Sequence, residues 1–206
     1  MKFYPAFINL KDKKAVVVGG GKVAERKVRL LINAGASVRL VSPRITGNIK
    51  KLAERGLLEH TRRNYRQGDL KDAFIIIAAT SDVALNTQIA REAGHLVNVI
   101  DMPSEGNFIV PSIVKRGPLT IAVSTEGASP AVSKAIRMEI EGLYGKEFAL
   151  YLKFVERVRK KAIKDITNSR EREKFLKTLA SPSVFSALRN RGYKATYKSI
   201  LASLKA

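Results

Sequence analysis

Apolar residues in the first hundred positions alternate between short unbroken runs and stretches spaced three and four apart, the signatures of buried strands and amphipathic helices. Lys14 to Val18 is a β-branched run bounded by glycines, which predicts a buried parallel strand. Lys22 to Ala34 carries apolar residues at Val23, Ala24, Val28, Leu31 and Ile32 with Gly35 beyond its end, which predicts a helix with a stop signal. Ser37 to Val41 reads as a second strand closed by Ser42-Pro43, and Ile49 to Arg55 as a short helix. Phe74 to Ala79 is so apolar that both faces must be covered. Val83 to Ala93 reads as a helix ending at Gly94, and Leu96 to Ile100 as another strand. Strands alternating with helices imply βαβ units, right-handed crossovers and a parallel sheet.

After Asp101 the texture changes. Asn107 to Pro111 and Pro118 to Ser124 read as two strands around a turn at Lys115-Arg116-Gly117. Ser129-Pro130 has the form of an N-cap followed by proline at the first helical position, opening a helix through Ala135, Ile136, Ile140 and Leu143. From Lys146 onward there is no strand pattern. Phe148, Leu152, Val155, Val158 and Ala162, then Phe175, Leu176 and Leu179, sit at helical spacing and predict a bundle of short helices.

Charge adds a partner to this picture. The 206-residue chain holds 38 Lys and Arg against 18 Asp and Glu, a formal net charge of +20. From Gly145 to Ala206 the balance is 16 against 5, so the tail is the more basic part. Such chains contact anions, whether nucleic acid, a membrane surface or a polyanionic small molecule, unless a generally basic proteome explains them. There are no cysteines, which excludes disulfides and thiolate chemistry and fits a cytoplasmic location. With only two histidines, His60 and His95, a multi-histidine metal site is nearly excluded, and no metal ligand set is expected. The N-terminus has no signal-peptide layout, and no run is long enough to cross a bilayer.

The candidate chemistry begins at Gly19-x-Gly21-x-x-Ala24, placed between a predicted strand and a predicted helix, as a dinucleotide-binding Rossmann unit requires. Gly19 permits the tight turn, Gly21 lets the backbone approach a pyrophosphate, and Ala24 allows close packing of helix on strand. The helix N-terminus offers unpaired N–H groups to the phosphates. An NAD site often has Asp or Glu about 20 residues on, to hold the ribose hydroxyls. Here that place reads Val41-Ser42-Pro43-Arg44, and Arg44 could instead favour a 2′-phosphate, so the residues alone leave NAD and NADP open. A tight turn in an unrelated α/β fold, or a unit binding S-adenosylmethionine, would give the same glycines.

Asp101 ends the strand Val97 to Ile100 at the carboxyl edge of the presumed sheet, where open α/β sheets bind ligands. Flanked by Ile100 and Met102, it is a candidate general base whose pKa burial would raise; the plainer reading is a capping aspartate. Thr80-Ser81-Asp82 could line the cofactor cleft or cap the next helix. His95 reads as a loop histidine, and His60, beside Glu59 in a charged stretch, as surface. Ser124-Thr125-Glu126-Gly127-Ala128-Ser129-Pro130 places hydroxyls before a helix, a layout for carboxylate or phosphate, or simply a capped loop.

Several of these runs, taken in order, resemble one known family. They are Val17-Val18-Gly19-Gly20-Gly21-Lys22-Val23-Ala24-Glu25-Arg26-Lys27, Ala78-Ala79-Thr80, Asn98-Val99-Ile100-Asp101, Phe108 to Val114, and Val123 to Pro130. The chain is similar to precorrin-2 dehydrogenase, the dehydrogenase and ferrochelatase module of siroheme synthases. The resemblance runs from about Tyr4 to Glu141, and more loosely through the tail. It implies NAD as cofactor and oxidation of precorrin-2 to sirohydrochlorin, with ferrous iron inserted afterwards in some members. It places Lys22, Val23, Pro43 and Arg44 at positions that contact NAD, and Asp101 at the family's essential aspartate. Ser42 and Thr80 complete the expected cofactor set, and Ser124, Thr125 and Ser129 are the candidates for substrate contact. Thr125 falls where a relative has a phosphorylated serine. The resemblance also implies a homodimer. The expected fold class is α/β: an N-terminal Rossmann parallel sheet (1–111), a small α+β dimerisation region (112–144) and a C-terminal all-helical domain (145–206). Precorrin-2 is a polycarboxylate, which a basic cleft would steer and hold. No methyltransferase module is expected in this chain, and neither nucleic acid nor membrane is an expected partner.

Two other readings compete. A regulatory NAD-sensing module, of the kind attached to potassium transport systems, shares the glycine run without needing Asp101, the Ser124–Pro130 loop or a basic tail. A nucleic-acid-binding protein is suggested by charge alone and lacks a recognition motif.

Overall fold

The structure is a computed structural model that describes residues 2–203, and its first unit, Met1–Val110, is built on a five-stranded parallel sheet. In chain order the elements are β1 (Lys14–Val18), α1 (Lys22–Asn33), β2 (Ser37–Val41), α2 (Gly47–Glu54), β3 (Glu59–Thr61), β4 (Ile75–Ala78), α3 (Val83–Glu92) and β5 (Leu96–Val99). The strand order is β3-β2-β1-β4-β5, so the sheet runs outward from β1 in both directions and reverses between β1 and β4. Alternation along each strand splits the apolar side chains between two cores. Ala15, Val17, Val38, Leu40, Ile75 and Ile77 meet Ala24, Val28 and Leu31 of α1 and Ile49 of α2. Val16, Val18, Ile76, Ala78, Val97 and Val99 meet Ile89 of α3. Burial on both faces explains why β1 and β4 read as unbroken apolar runs.

The sequence expectations fail here at three places. The edge strand β3 was hidden because Glu59-His60-Thr61 is short and polar; it exists through its pairing with Arg39, Leu40 and Val41 of β2. His60, expected at the surface, is half-buried, with Nε2 2.9 Å from the Ser42 carbonyl. Asn107 to Pro111, expected as a strand, forms none. Instead Asn107 grips β5: its N donates to Val97 O (3.0 Å), its Oδ1 accepts from Val97 N (2.7 Å), and its Nδ2 donates to His95 O (2.7 Å). One residue, through its backbone N–H and its side-chain amide, thus supplies pairing that a strand would otherwise provide.

The second unit, Pro111–Ala206, contains the hairpin β6 (Ser112–Arg116) and β7 (Leu119–Val123), then α4 (Pro130–Leu143), α5 (Lys146–Asp165), α6 (Ser169–Thr178) and α7 (Pro182–Ser203). The turn is Gly117-Pro118, with Gly117 at φ 58, the position a II′ hairpin reserves for glycine. Helices α5 and α7, of 20 and 22 residues, exceed the short helices the spacing suggested, although α7 breaks at Gly192 (φ 72, ψ 177). Their core is Phe148, Tyr151, Phe154, Leu179, Leu188 and Ile200, with Tyr193 and Tyr197 packed against it. Tyr151 donates its hydroxyl to Leu179 O, and burial pushes that phenol up to about 12. Among the described residues no helix is long and apolar enough to cross a membrane.

Candidate functional site

The chain reverses out of β1 at the point where the sheet changes direction, and there the glycines divide their roles. Gly19 has φ 112, and a Cβ on it would collide with the Ala79 carbonyl at the end of β4. A Cβ on Gly20 would strike the Arg44 carbonyl. Gly21 is different, because a Cβ there would meet nothing within 4 Å. Gly21 is the N-cap of α1 and makes no side-chain cap hydrogen bond, so the first-turn N–H groups from Lys22 onward have no side-chain acceptor over them. Open space in front of an uncapped helix N-terminus fits a phosphate group.

A cleft of about 500 Å³ lies over this turn. Its walls are Val18 to Gly21 from β1 and its turn, Val41 to Pro43 from β2, Asn64 and Tyr65 after β3, and Ala79 to Asp82 with Leu85 after β4. Of the expected cofactor residues, Gly19, Gly21, Ser42, Pro43 and Thr80 line it. Lys22, Val23 and Arg44 do not, though the first two open α1 and the Arg44 carbonyl accepts Ser42 Oγ at 2.7 Å. Asn64 and Tyr65 carried no signal in the sequence, since they follow a strand that was not visible there.

The scaffold beneath the cleft is polar and paired. Thr46 N donates to Gly20 O (3.1 Å), while Thr46 Oγ1 caps α2 and donates to Glu25 (2.7 Å), which also accepts from Asn48 and Arg29. The Thr46 bond chiefly holds the Glu25 carboxyl below its ordinary range. The loop bearing Asn64 and Tyr65 is fixed by Asp69, which accepts from both terminal nitrogens of Arg63 (2.8 and 2.7 Å) and from Arg66 N (2.8 Å). The Arg63 bond is the main reason the Asp69 carboxyl lies low. Tyr65 donates to Glu92, and burial first, then that carboxylate, pushes its phenol up. Lys27, half-buried on α1, has its ammonium pushed down by burial and then by Arg26.

Asp101 was expected to be a carboxylate partly buried by its neighbours; instead it is exposed and does not line the cleft. It sits just past β5 at φ 61, a left-handed conformation that aspartate tolerates better than most residues. The Asn107 grip on β5 closes the loop that carries it. His95 is an exposed loop residue whose ring stacks on Phe74. In the second unit, Thr125 Oγ1 bonds both the N and O of Ser129, Ser124 Oγ accepts from Glu126 N, and Ser129 Oγ caps α4 through Val132 N. All three hydroxyls are therefore engaged within their own loop.

Comparisons with known proteins add to this geometry. A family model described as "Putative NAD(P)-binding" matches residues 6–112, and one described as "Sirohaem biosynthesis protein central" matches 116–143. The siroheme synthase of Nitrosococcus oceani is 36% identical over 187 residues, covering 89% of this chain and 40% of that protein. The siroheme synthase of Pseudomonas aeruginosa is 42% identical over 166 residues, covering 77% and 36%. The chain thus spans about two fifths of the length of the curated relatives it matches. A solved structure of "SirC, precorrin-2 dehydrogenase" superposes with a TM-score of 0.82 at 26% identity, covering 97% of this chain and 100% of that one.

Proposed function

This chain belongs to the family described as "Putative NAD(P)-binding", and with the sirohaem-biosynthesis match over residues 116–143 as support we propose that it oxidises precorrin-2 to sirohydrochlorin with NAD. The observation that carries the reading is the cleft at the switch point, where Gly21 leaves open space before an uncapped helix N-terminus. The backbone N–H groups of Lys22 and Val23 hold the pyrophosphate, Ser42 and Pro43 flank the adenosine end, and Thr80 walls the opposite end. The residues lining the cleft include no lysine or arginine, which favours a ribose with free hydroxyls over a 2′-phosphate and so NAD over NADP. A bound nicotinamide supplies a two-electron acceptor. Asp101 takes the proton that precorrin-2 loses on oxidation, and its exposure leaves it accessible to a large substrate.

The substrate's carboxylates are drawn in by the chain's net charge of +20, and Ser124, Thr125 and Ser129 contact it by exchanging their bonds within the loop for bonds to the substrate. The protein acts as a homodimer through residues 112–144, which is supported by the exposed apolar residues Val132, Ile136, Met138 and Leu143 of α4. The test compares wild type with Asp101→Ala in NADH binding and in precorrin-2 oxidation. Unchanged NADH affinity with turnover reduced roughly a hundredfold or more is expected. Oxidation at the normal rate by the variant would remove Asp101 from the mechanism. Binding without oxidation by the wild type would favour a regulatory module. Adding ferrous iron to the same mixture reports chelation separately, through the siroheme spectrum.

A further inference from the structure

The wall of the cleft that follows β4 is held in shape by one buried amide. Asn86, one turn into α3, is 3% exposed and does not line the cleft. Its Oδ1 accepts from Thr80 N (3.2 Å) and Thr80 Oγ1 (2.8 Å), and its Nδ2 donates to Thr80 O (3.1 Å). Thr80 Oγ1 also accepts from Asp82 N at 3.1 Å. Both backbone groups and the hydroxyl of Thr80 are thus engaged within the chain. One residue earlier, the Ala79 carbonyl sits where a Cβ of Gly19 would be, so the wall and the phosphate turn abut directly.

A primary amide on the buried face of a helix loses its hydration and is tolerated only when it is paired. The side-chain hydrogen bonds of Asn86 go to a single loop residue, Thr80. Its effect is therefore local: it fixes the path of residues 80–82. We propose that Asn86 is a positioning residue for the dinucleotide, holding the β4–α3 wall in the conformation the cofactor needs. Thr80 then serves the site through its placement rather than by offering its hydroxyl to the ligand. This rests on reading the cleft as a dinucleotide site. Without Asn86 the N–H and C=O of Thr80 seek water, the loop samples other paths, and the cofactor must reorder it on binding.

The test uses the full chain, NADH fluorescence titration and amide exchange. Asn86→Leu, confirmed folded by circular dichroism, is expected to exchange the amides of residues 80–82 faster and to bind NADH roughly tenfold more weakly or worse. A folded Asn86→Leu protein that binds NADH within twofold would overturn the proposal. A purely structural role would do exactly that while lowering the melting temperature. The unliganded wild type supplies a test that needs no variant: its Thr80 amide should be protected, and exchange at the unprotected rate would overturn the proposal. Wild type that binds NADH but leaves precorrin-2 unoxidised would refute the proposed reaction and leave this inference standing. Wild type that fails to bind NADH would refute both.

Discussion

Replacing Gly21 by alanine separates a glycine kept for a ligand from a glycine kept for the fold. At φ −79 and ψ −176 the backbone is in ordinary extended territory, and the added methyl would meet nothing within 4 Å. Two small effects on folding oppose each other. Alanine reduces the entropy of the unfolded chain, worth roughly 0.4–1 kcal/mol. It is also a poorer N-cap than glycine, at a cost of about 0.5–1 kcal/mol. The net change is within about 1 kcal/mol, a shift of a few degrees in melting temperature. Cofactor binding has no such compensation. A methyl projecting into the space before α1 holds the pyrophosphate off one or two N–H groups, each charge-assisted bond being worth roughly 1.5–3 kcal/mol. A loss of about 2–4 kcal/mol raises the Kd for NADH some 30- to 1,000-fold, by order of magnitude. Thermal melts and NADH fluorescence titrations on the same preparation read both numbers. Affinity within threefold of wild type would refute the claim that the open space is where the ligand lies. A collapse in stability would refute the claim that the space is open.

Other perturbations test the scaffold. Gly19→Ala adds a Cβ at φ 112 against the Ala79 carbonyl and should lower stability by roughly 2–4 kcal/mol in urea unfolding. The carboxyl of Asp69 is held below its ordinary 3.8, first by Arg63, so its contribution is fully present above that value and is lost as pH falls through the depressed one. Melting temperature should therefore drop more steeply below about pH 4 in wild type than in Asp69→Asn, and parallel curves would contradict this. Asn107→Ala orphans the Val97 N–H and frees the His95 carbonyl at the edge of β5, costing about 2 kcal/mol. Because the same grip closes the Asp101 loop, turnover should fall while NADH affinity stays within twofold.

Much of the first unit was legible because both faces of its sheet are buried. Val16, Val17 and Val18 of β1 and Ile75, Ile76 and Ile77 of β4 are apolar for that reason, and the glycine turn follows β1 directly. Glu59-His60-Thr61 was not legible, since an edge strand made by pairing with β2 needs no apolar pattern. Asn107 was misread for the opposite reason: Phe108-Ile109-Val110 beside it is apolar, yet the asparagine side chain already occupies the edge of β5. At the site, Gly19, Gly21, Ser42, Pro43 and Thr80 could be placed because they follow recognisable strands. Asn64 and Tyr65 arrive through a loop fixed by the Arg63–Asp69 pair, a tertiary contact that no local spacing encodes. Asn86 did leave a trace, as a polar residue on the helix face that buries Ile89. For Asp101 the position was readable and the exposure was not, because burial depends on what the surrounding loop covers.

The most direct test of the central claim is to mix the purified chain with precorrin-2 and follow sirohydrochlorin and reduced cofactor together, with NAD, with NADP and with neither. The account predicts one NADH formed for each sirohydrochlorin, little reaction with NADP, and none without cofactor beyond the spontaneous rate. NADH binding without any sirohydrochlorin, or oxidation that proceeds equally well with NADP, would contradict it.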